Sequence, residues 1–305
     1  MPRPFRPRHA SATMLSRAPA LDAAAVRAGT AGALLALAGS LAGVALPRVT
    51  LAHEDVDERI VRVSARLAEA PESARLWFER GALHRERGHW DGALRDFRRA
   101  AALPGNRARA DAQIARVHSM RGAHALALRH AERALGARTD DLLALRLRAE
   151  ARHALGDHRG AANDFRRVID AVSATPVELF LARARAIAAR GEDHVDAAVV
   201  SLREGLAHLG PAPQLEREIV DLYRRSGRLA EALVALRKII DARSRPERWY
   251  ALRGDLLVEH GYHAAARRSY RAAIDAIDAL PAARADVPAM RALRGTLSAR
   301  LELDR

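Results

Sequence analysis

The most constraining feature of this 305-residue sequence is a set of six glycines at near-constant spacing: Gly88, Gly122, Gly156, Gly191, Gly227 and Gly261. Their successive separations are 34, 34, 35, 36 and 34 residues. A period of this size marks a two-helix unit that cannot bury its apolar face alone and must stack on its neighbours. Glycine suits the joint because it takes the left-handed conformation that ends a helix without steric penalty. The side chains around each glycine follow one size pattern. Seven residues before it stands Gly81, Ala115, Ala149, Ala184 or Gly254, with Val220 in the fifth unit. Five after it stands Ala93, Ala127, Ala161, Ala232 or Ala266; nine after it stands a bulky Phe97, Phe165, Leu236 or Tyr270. The small residues predict close helix crossings, and the bulky ones fill the gap beside them.

The stretch WFERGALHRERGHWDGALRDFRRAAALP, residues 77–104, carries the whole pattern and resembles a tetratricopeptide repeat. The resemblance covers residues 74–281 and implies an all-α, right-handed α-solenoid of about six helical hairpins. Composition agrees: aromatic residues make up only 4% of the chain and alanine dominates the apolar set, which suits stacked helices better than strands. Three positions depart from the pattern. Asp111 and Glu216 stand where the first repeat has Trp77, and Ala131 stands where a bulky residue is expected. Two extra residues in the GEDHVD stretch move the fourth repeat's small and bulky positions to Ala198 and Leu202. Residues 53–73 read as an N-terminal capping helix over 56–70 that stops before Pro71, and residues 282–305 as a C-terminal capping helix over 286–303.

Residues 1–52 read as a targeting segment. Arg3, Arg6, Arg8, Arg17 and Arg27 precede an uncharged run over 31–46, the layout of a secretory signal peptide, with Thr50 and Ala52 offering cleavage before His53. The expected address is the periplasm or the exterior. The alternatives are an uncleaved membrane anchor over 31–46 and a mitochondrial presequence, and translation starts at Met1 or Met14. A membrane is expected as partner only if this segment stays attached. The chain has no cysteine, which excludes disulfides, thiol catalysis, Cys-ligated zinc and a lipoprotein anchor. The net charge of +14 rests almost wholly on arginine spread along the chain. Dispersed charge of this kind reads as a solvated basic surface, so nucleic acid is not expected as a partner.

No phosphate-binding loop, metalloprotease or nucleophile-elbow motif occurs, so neither catalysis nor a cofactor is expected. His84 and His118 hold equivalent places in neighbouring repeats and read as seam residues between helices, whereas His124, His130, His158 and His194 read as solvated near turns. Cleavage before His53 would place an amine and an imidazole on one residue, a pair able to chelate copper, though weakly. The resemblance implies a recognition groove lined by residues 13, 10, 6 and 3 before each turn glycine. Arg75, Phe78, Arg85, Arg109, Arg116, Arg146, His153, Arg185, Arg217 and Arg224 fall in these rows. Guanidinium forks pair bidentately with carboxylates, so such a groove suits a protein or peptide of acidic character. Arg80, Arg148, Arg183 and Arg253 form a second arginine row, eight before the glycine and outside the groove. The function expected is a non-catalytic scaffold for protein or peptide partners. The alternatives are an assembly subunit that works through the solenoid ends and an accessory protein with a metal site at His53.

Overall fold

The structure, a computed structural model, describes residues 48–303. The basic segment and the apolar run over 31–46 lie outside the described residues. No strand occurs among the described residues, and no helix there is long and apolar enough to cross a membrane.

The first helix, α1, spans Arg48–Glu69. It starts eight residues before the expected Val56. Six hairpins follow. They pair α2 (Ala74–Glu86) with α3 (Trp90–Ala102), α4 (Arg107–Met120) with α5 (His124–Ala137), and α6 (Leu142–Ala154) with α7 (His158–Ala171). The later pairs are α8 (Val177–Ala188) with α9 (Val195–Leu209), α10 (Pro213–Arg225) with α11 (Leu229–Asp241), and α12 (Glu247–Glu259) with α13 (His263–Asp278). The chain then runs through a short α14 (Ala282–Ala285) and closes on α15 (Pro288–Leu303). The GEDHVD stretch, which carries the two extra residues of the fourth repeat, forms a three-residue 3-10 turn, Glu192–His194, that leads into α9.

Each hairpin packs its two helices together and sets its second helix against the first helix of the next hairpin. The turn glycines have φ between 69° and 125°, in the left-handed region. In four turns the residue after the glycine donates its N–H back to a carbonyl in the last helical turn: His89 to His84, Ala123 to His118, Arg228 to Tyr223 and Tyr262 to Leu257. This closure satisfies carbonyls that a helix end would otherwise leave open. The size pattern is the core itself. Ala93, Ala115, Ala127, Ala149, Ala161, Ala184, Ala232 and Ala266 have no exposed surface, nor do Phe97, Leu202 and Leu236. At the N-terminal end, Val56, Val63 and Leu67 of α1 cover Leu76 and Leu83 of α2; at the other end, Met290 and Leu297 of α15 cover Tyr270 and Ile277.

The second arginine row lies inside the hairpins. Arg80 of α2 makes a bidentate pair with Asp96 of α3 at 2.8 and 2.7 Å, and Arg148 of α6 pairs with Asp164 of α7 at the same distances. Both carboxylates are buried, and the hydrogen bonds to them raise the pKa of Arg80 and Arg148 further. In the sixth hairpin Arg253 reaches Ser269 at the same 16-residue separation. Arg183 reaches Glu204 instead, at 2.6 Å. The second and fifth hairpins have Ile114 and Ile219 in this row, and their departures from the sequence pattern supply the polar link instead. Asp111 bonds His130 at 2.7 Å, and Glu216 bonds Arg243. His130 is therefore held between helices rather than solvated. His158 is likewise drawn to His153, with Nδ1 atoms 3.2 Å apart, and His194 has a buried Nδ1.

Candidate binding groove

The first helices of consecutive hairpins also meet directly, α4 on α6 and α8 on α10, so they form a wall of their own. Polar links cross this wall from one hairpin to the next. Arg85 Nη1 donates to Gln113 Oε1 at 2.7 Å, Arg185 Nη2 to Glu218 at 3.0 Å, and Arg224 to both oxygens of Glu259 at 2.7 and 2.5 Å. The expected groove residues Arg85, Arg185 and Arg224 are thus on one wall.

The structure sorts the expected arginines into two groups. In the middle and later hairpins they are neutralised within the chain. Arg146 pairs with Glu150 at 2.8 Å, Arg217 with Asp221 at 3.1 Å, Arg185 with Glu218, and Arg224 with Glu259. Glu218 is a buried junction that takes Arg225 as well, at 3.0 Å. Burial alone would push its carboxyl up, but the hydrogen bonds from Arg185 and Arg225 outweigh that and hold it below the ordinary value.

In the first two hairpins, Arg75, Arg85, Arg109 and Arg116 have no carboxylate partner among the described residues. Arg75, Arg109 and Arg116 are exposed and Arg85 is half-buried. Burial, and then the nearby charge of Arg116, lower the pKa of Arg85. These two guanidiniums therefore repel each other across the wall, with only the Gln113 amide between hairpins to orient one of them. Phe78 departs from the expected open position. It is 6% exposed and packs with Phe97 beneath Arg109, whose Cζ lies 4.3 Å from the ring centroid. Its ring supports a cation rather than meeting a partner directly.

Farther along, His153 and Arg185 share a cleft of about 420 Å³ with Ala188, Leu222, Arg225 and Ser226. Burial, then His158 and Arg185, lower the pKa of His153. A second cleft of about 640 Å³ lies between the fifth and sixth hairpins, where Arg243, Arg245, Arg248 and Trp249 meet Arg217. Most of its lining was missed from sequence because Arg243 and Arg245 sit in the connection after α11, away from the helix rows. No group of three His, Asp or Glu residues able to hold a metal occurs among the described residues, and the His53 side chain lies outside them.

No protein-family model and no curated protein matches the sequence. Solved structures do. A tetratricopeptide repeat protein from Parabacteroides merdae matches with a TM-score of 0.51 and 16% identity, over 84% of this chain and 95% of that one. A thermophilic repeat protein of the same kind from Thermus thermophilus matches with a TM-score of 0.41 and 21% identity, over 61% of this chain and all of that one. The first likeness shows the fold, an α-solenoid of tetratricopeptide-type hairpins.

Proposed function

We propose that this protein is a non-catalytic scaffold, acting outside the cytoplasm, that holds a partner protein by an acidic segment laid against its first two hairpins. One observation carries the site: among the described residues Arg75, Arg85, Arg109 and Arg116 have no carboxylate partner, whereas Arg146, Arg185, Arg217 and Arg224 are neutralised by the chain itself and Arg248 of the sixth hairpin stands apart from the four. An acidic segment would relieve the repulsion between Arg85 and Arg116 and gain charge-assisted hydrogen bonds. The fold supports the reading because stacked hairpins offer an extended surface and little chemistry of their own. The address rests on the basic and apolar layout of residues 1–46.

The test is binding of a labelled glutamate-rich peptide to the double variant Arg85→Glu with Arg116→Glu. Affinity should fall at least tenfold, about 1.4 kcal/mol, with the larger part of the loss at low salt. Arg80, Arg148 and Arg183 do not serve as a control, because their ion pairs hold hairpins together. Arg99 and Arg203 do: both are exposed, on second helices, and changing both to Glu alters net charge equally. Equal losses from the two variants would mean that the peptide responds to overall charge alone. No loss from Arg85 and Arg116 would move the binding surface elsewhere.

A further inference from the structure

The second hairpin differs from its neighbours at its polar centre. The first and third fix α2 to α3 and α6 to α7 with buried Arg–Asp pairs, whose arginine keeps its charge at any physiological pH. The second has Ile114 and His130 at the corresponding positions, and its bulky core position is Ala131. Its fastening is instead a pair of imidazoles. His118 of α4 is 6% exposed, its Nδ1 has no hydrogen-bond partner, and its ring stacks on that of His130 with centroids 5.5 Å apart. His130 Nδ1 donates to Asp111, which is also buried.

The charges around this pair are nearly all positive. Arg133 of α5 lies 2.8 Å from the His130 ring and 3.6 Å from Asp111; Arg129 of α5, Arg121 of the turn and Arg98 of α3 also face the cluster. The neighbouring α6 meets the hairpin through Glu150, 3.4 Å from Ser119, and Arg152, 3.9 Å from Glu132. Among the described residues Asp111 is the one carboxylate bonded to the pair, and it is already shared with Arg133. A proton on His118 therefore creates a buried cation among arginines, and one on half-buried His130 adds a charge beside Arg133 that Asp111 only partly offsets.

We propose that the second hairpin is an acid-sensitive fastening: protonation of the His118–His130 pair loosens α4 from α5 and, through α4, displaces the Gln113 and Arg116 side of the groove. The last clause rests on the groove reading above; the loosening itself does not. Burial, first of all, lowers the pKa of both histidines, and for His118 the neighbouring His130 adds to it. A group depressed in the fold contributes stability in full above its unfolded value, about 6.5, and loses it as pH falls through the folded value. The hairpin is thus fastened at neutral pH and released in mild acid.

Amide hydrogen exchange on the full chain, without any partner, tests this at about pH 7.5 and about pH 5, either side of the free imidazole value. After correction for intrinsic rates, protection in α4 and α5 should fall at least tenfold relative to α10 and α11, which contain no histidine. Unchanged relative protection would overturn the proposal and leave the groove reading standing. The double variant Ile114→Arg with His130→Asp installs the linkage of the neighbouring hairpins and should abolish the acid effect. A folded variant that still opens in acid would also overturn it. Should the variant fail to fold, the wild-type comparison decides alone. Loss of the glutamate-rich peptide at about pH 5, where its carboxylates remain largely ionised, would tie the opening to the groove. Retention of the peptide with the hairpin open would remove that tie.

Discussion

Two kinds of glycine stand in these helices, and only one is there for space. A Cβ built on Gly254 would lie 2.2 Å from Tyr270 Cε1, and one on Gly81 would lie 2.7 Å from Phe97 Cε1. Both contacts are with rings that fill the hairpin core, so neither ring can give way cheaply. Gly254→Ala should cost roughly 1–3 kcal/mol by overpacking. Gly136 lies within α5 with nothing inside 4 Å of its Cβ position. Gly136→Ala should stabilise by up to about 1 kcal/mol, because alanine loses less conformational freedom in a helix. Urea unfolding midpoints of the two variants check this, and a neutral result at Gly254 would mean that the ring does not fill that gap. The close crossings were legible in the sequence because steric exclusion leaves a residue-size trace. The free arginines were not. Arg116 and Arg146 both fall in groove rows, six and ten before their glycines, and Arg146 is neutralised because Glu150 stands one turn beyond it where Arg116 has Met120.

The hairpin is the element that repeats as a unit here, and its polar fastening varies while its apolar crossings stay fixed. The sequence placed Arg80 and Arg148 outside the groove but left them without a partner. The signal was present, since Arg80–Asp96 and Arg148–Asp164 share one separation, but two helices must be docked before 16 residues means proximity. The departures at Asp111 and Glu216 read as defects in the pattern and proved to be the replacement fastenings. Helix ends were harder to place: α14 and the 3-10 turn at Glu192 are single turns with no apolar period of their own. The third hairpin permits a clean comparison on one helix, α7. Asp164 is 2% exposed and holds both Arg148 and Arg152, whereas Asp170 pairs with Arg166 at 3.6 Å on the open surface. Asp164→Ala strands Arg148, leaves Arg152 only Asp157 and Glu132 at 3.5 and 3.9 Å, and should cost on the order of 3 kcal/mol. Asp170→Ala should change stability by less than about 1 kcal/mol, as exposed pairs contribute little. Thermal unfolding of the two variants measures both, and equal shifts would mean that the buried pair contributes no more than the exposed one.

At the scale of the whole molecule, charge and address meet at the N-terminus. Residues 1–52 hold six arginines and one aspartate, so their removal takes the net charge from +14 to +9. What is left carries Arg75, Arg85, Arg109 and Arg116 on the first two hairpins, next to the end that α1 caps. The proposed cleavage before His53 falls inside α1, yet the residues by which α1 covers α2, namely Val56, Val63 and Leu67, all lie beyond it. A cut there would shorten the helix and leave Val56, Val63 and Leu67 in place, so the N-terminal cap is compatible with the proposed cleavage. The mature protein should therefore begin at or near His53, be recovered from the envelope rather than the cytosol, and come free of membranes in high salt. N-terminal sequencing of the fractionated protein checks each part. Protein that keeps residues 31–46 and stays with the membrane would replace secretion by anchoring. Soluble cytosolic protein that keeps residues 1–30 would remove the extra-cytoplasmic address altogether.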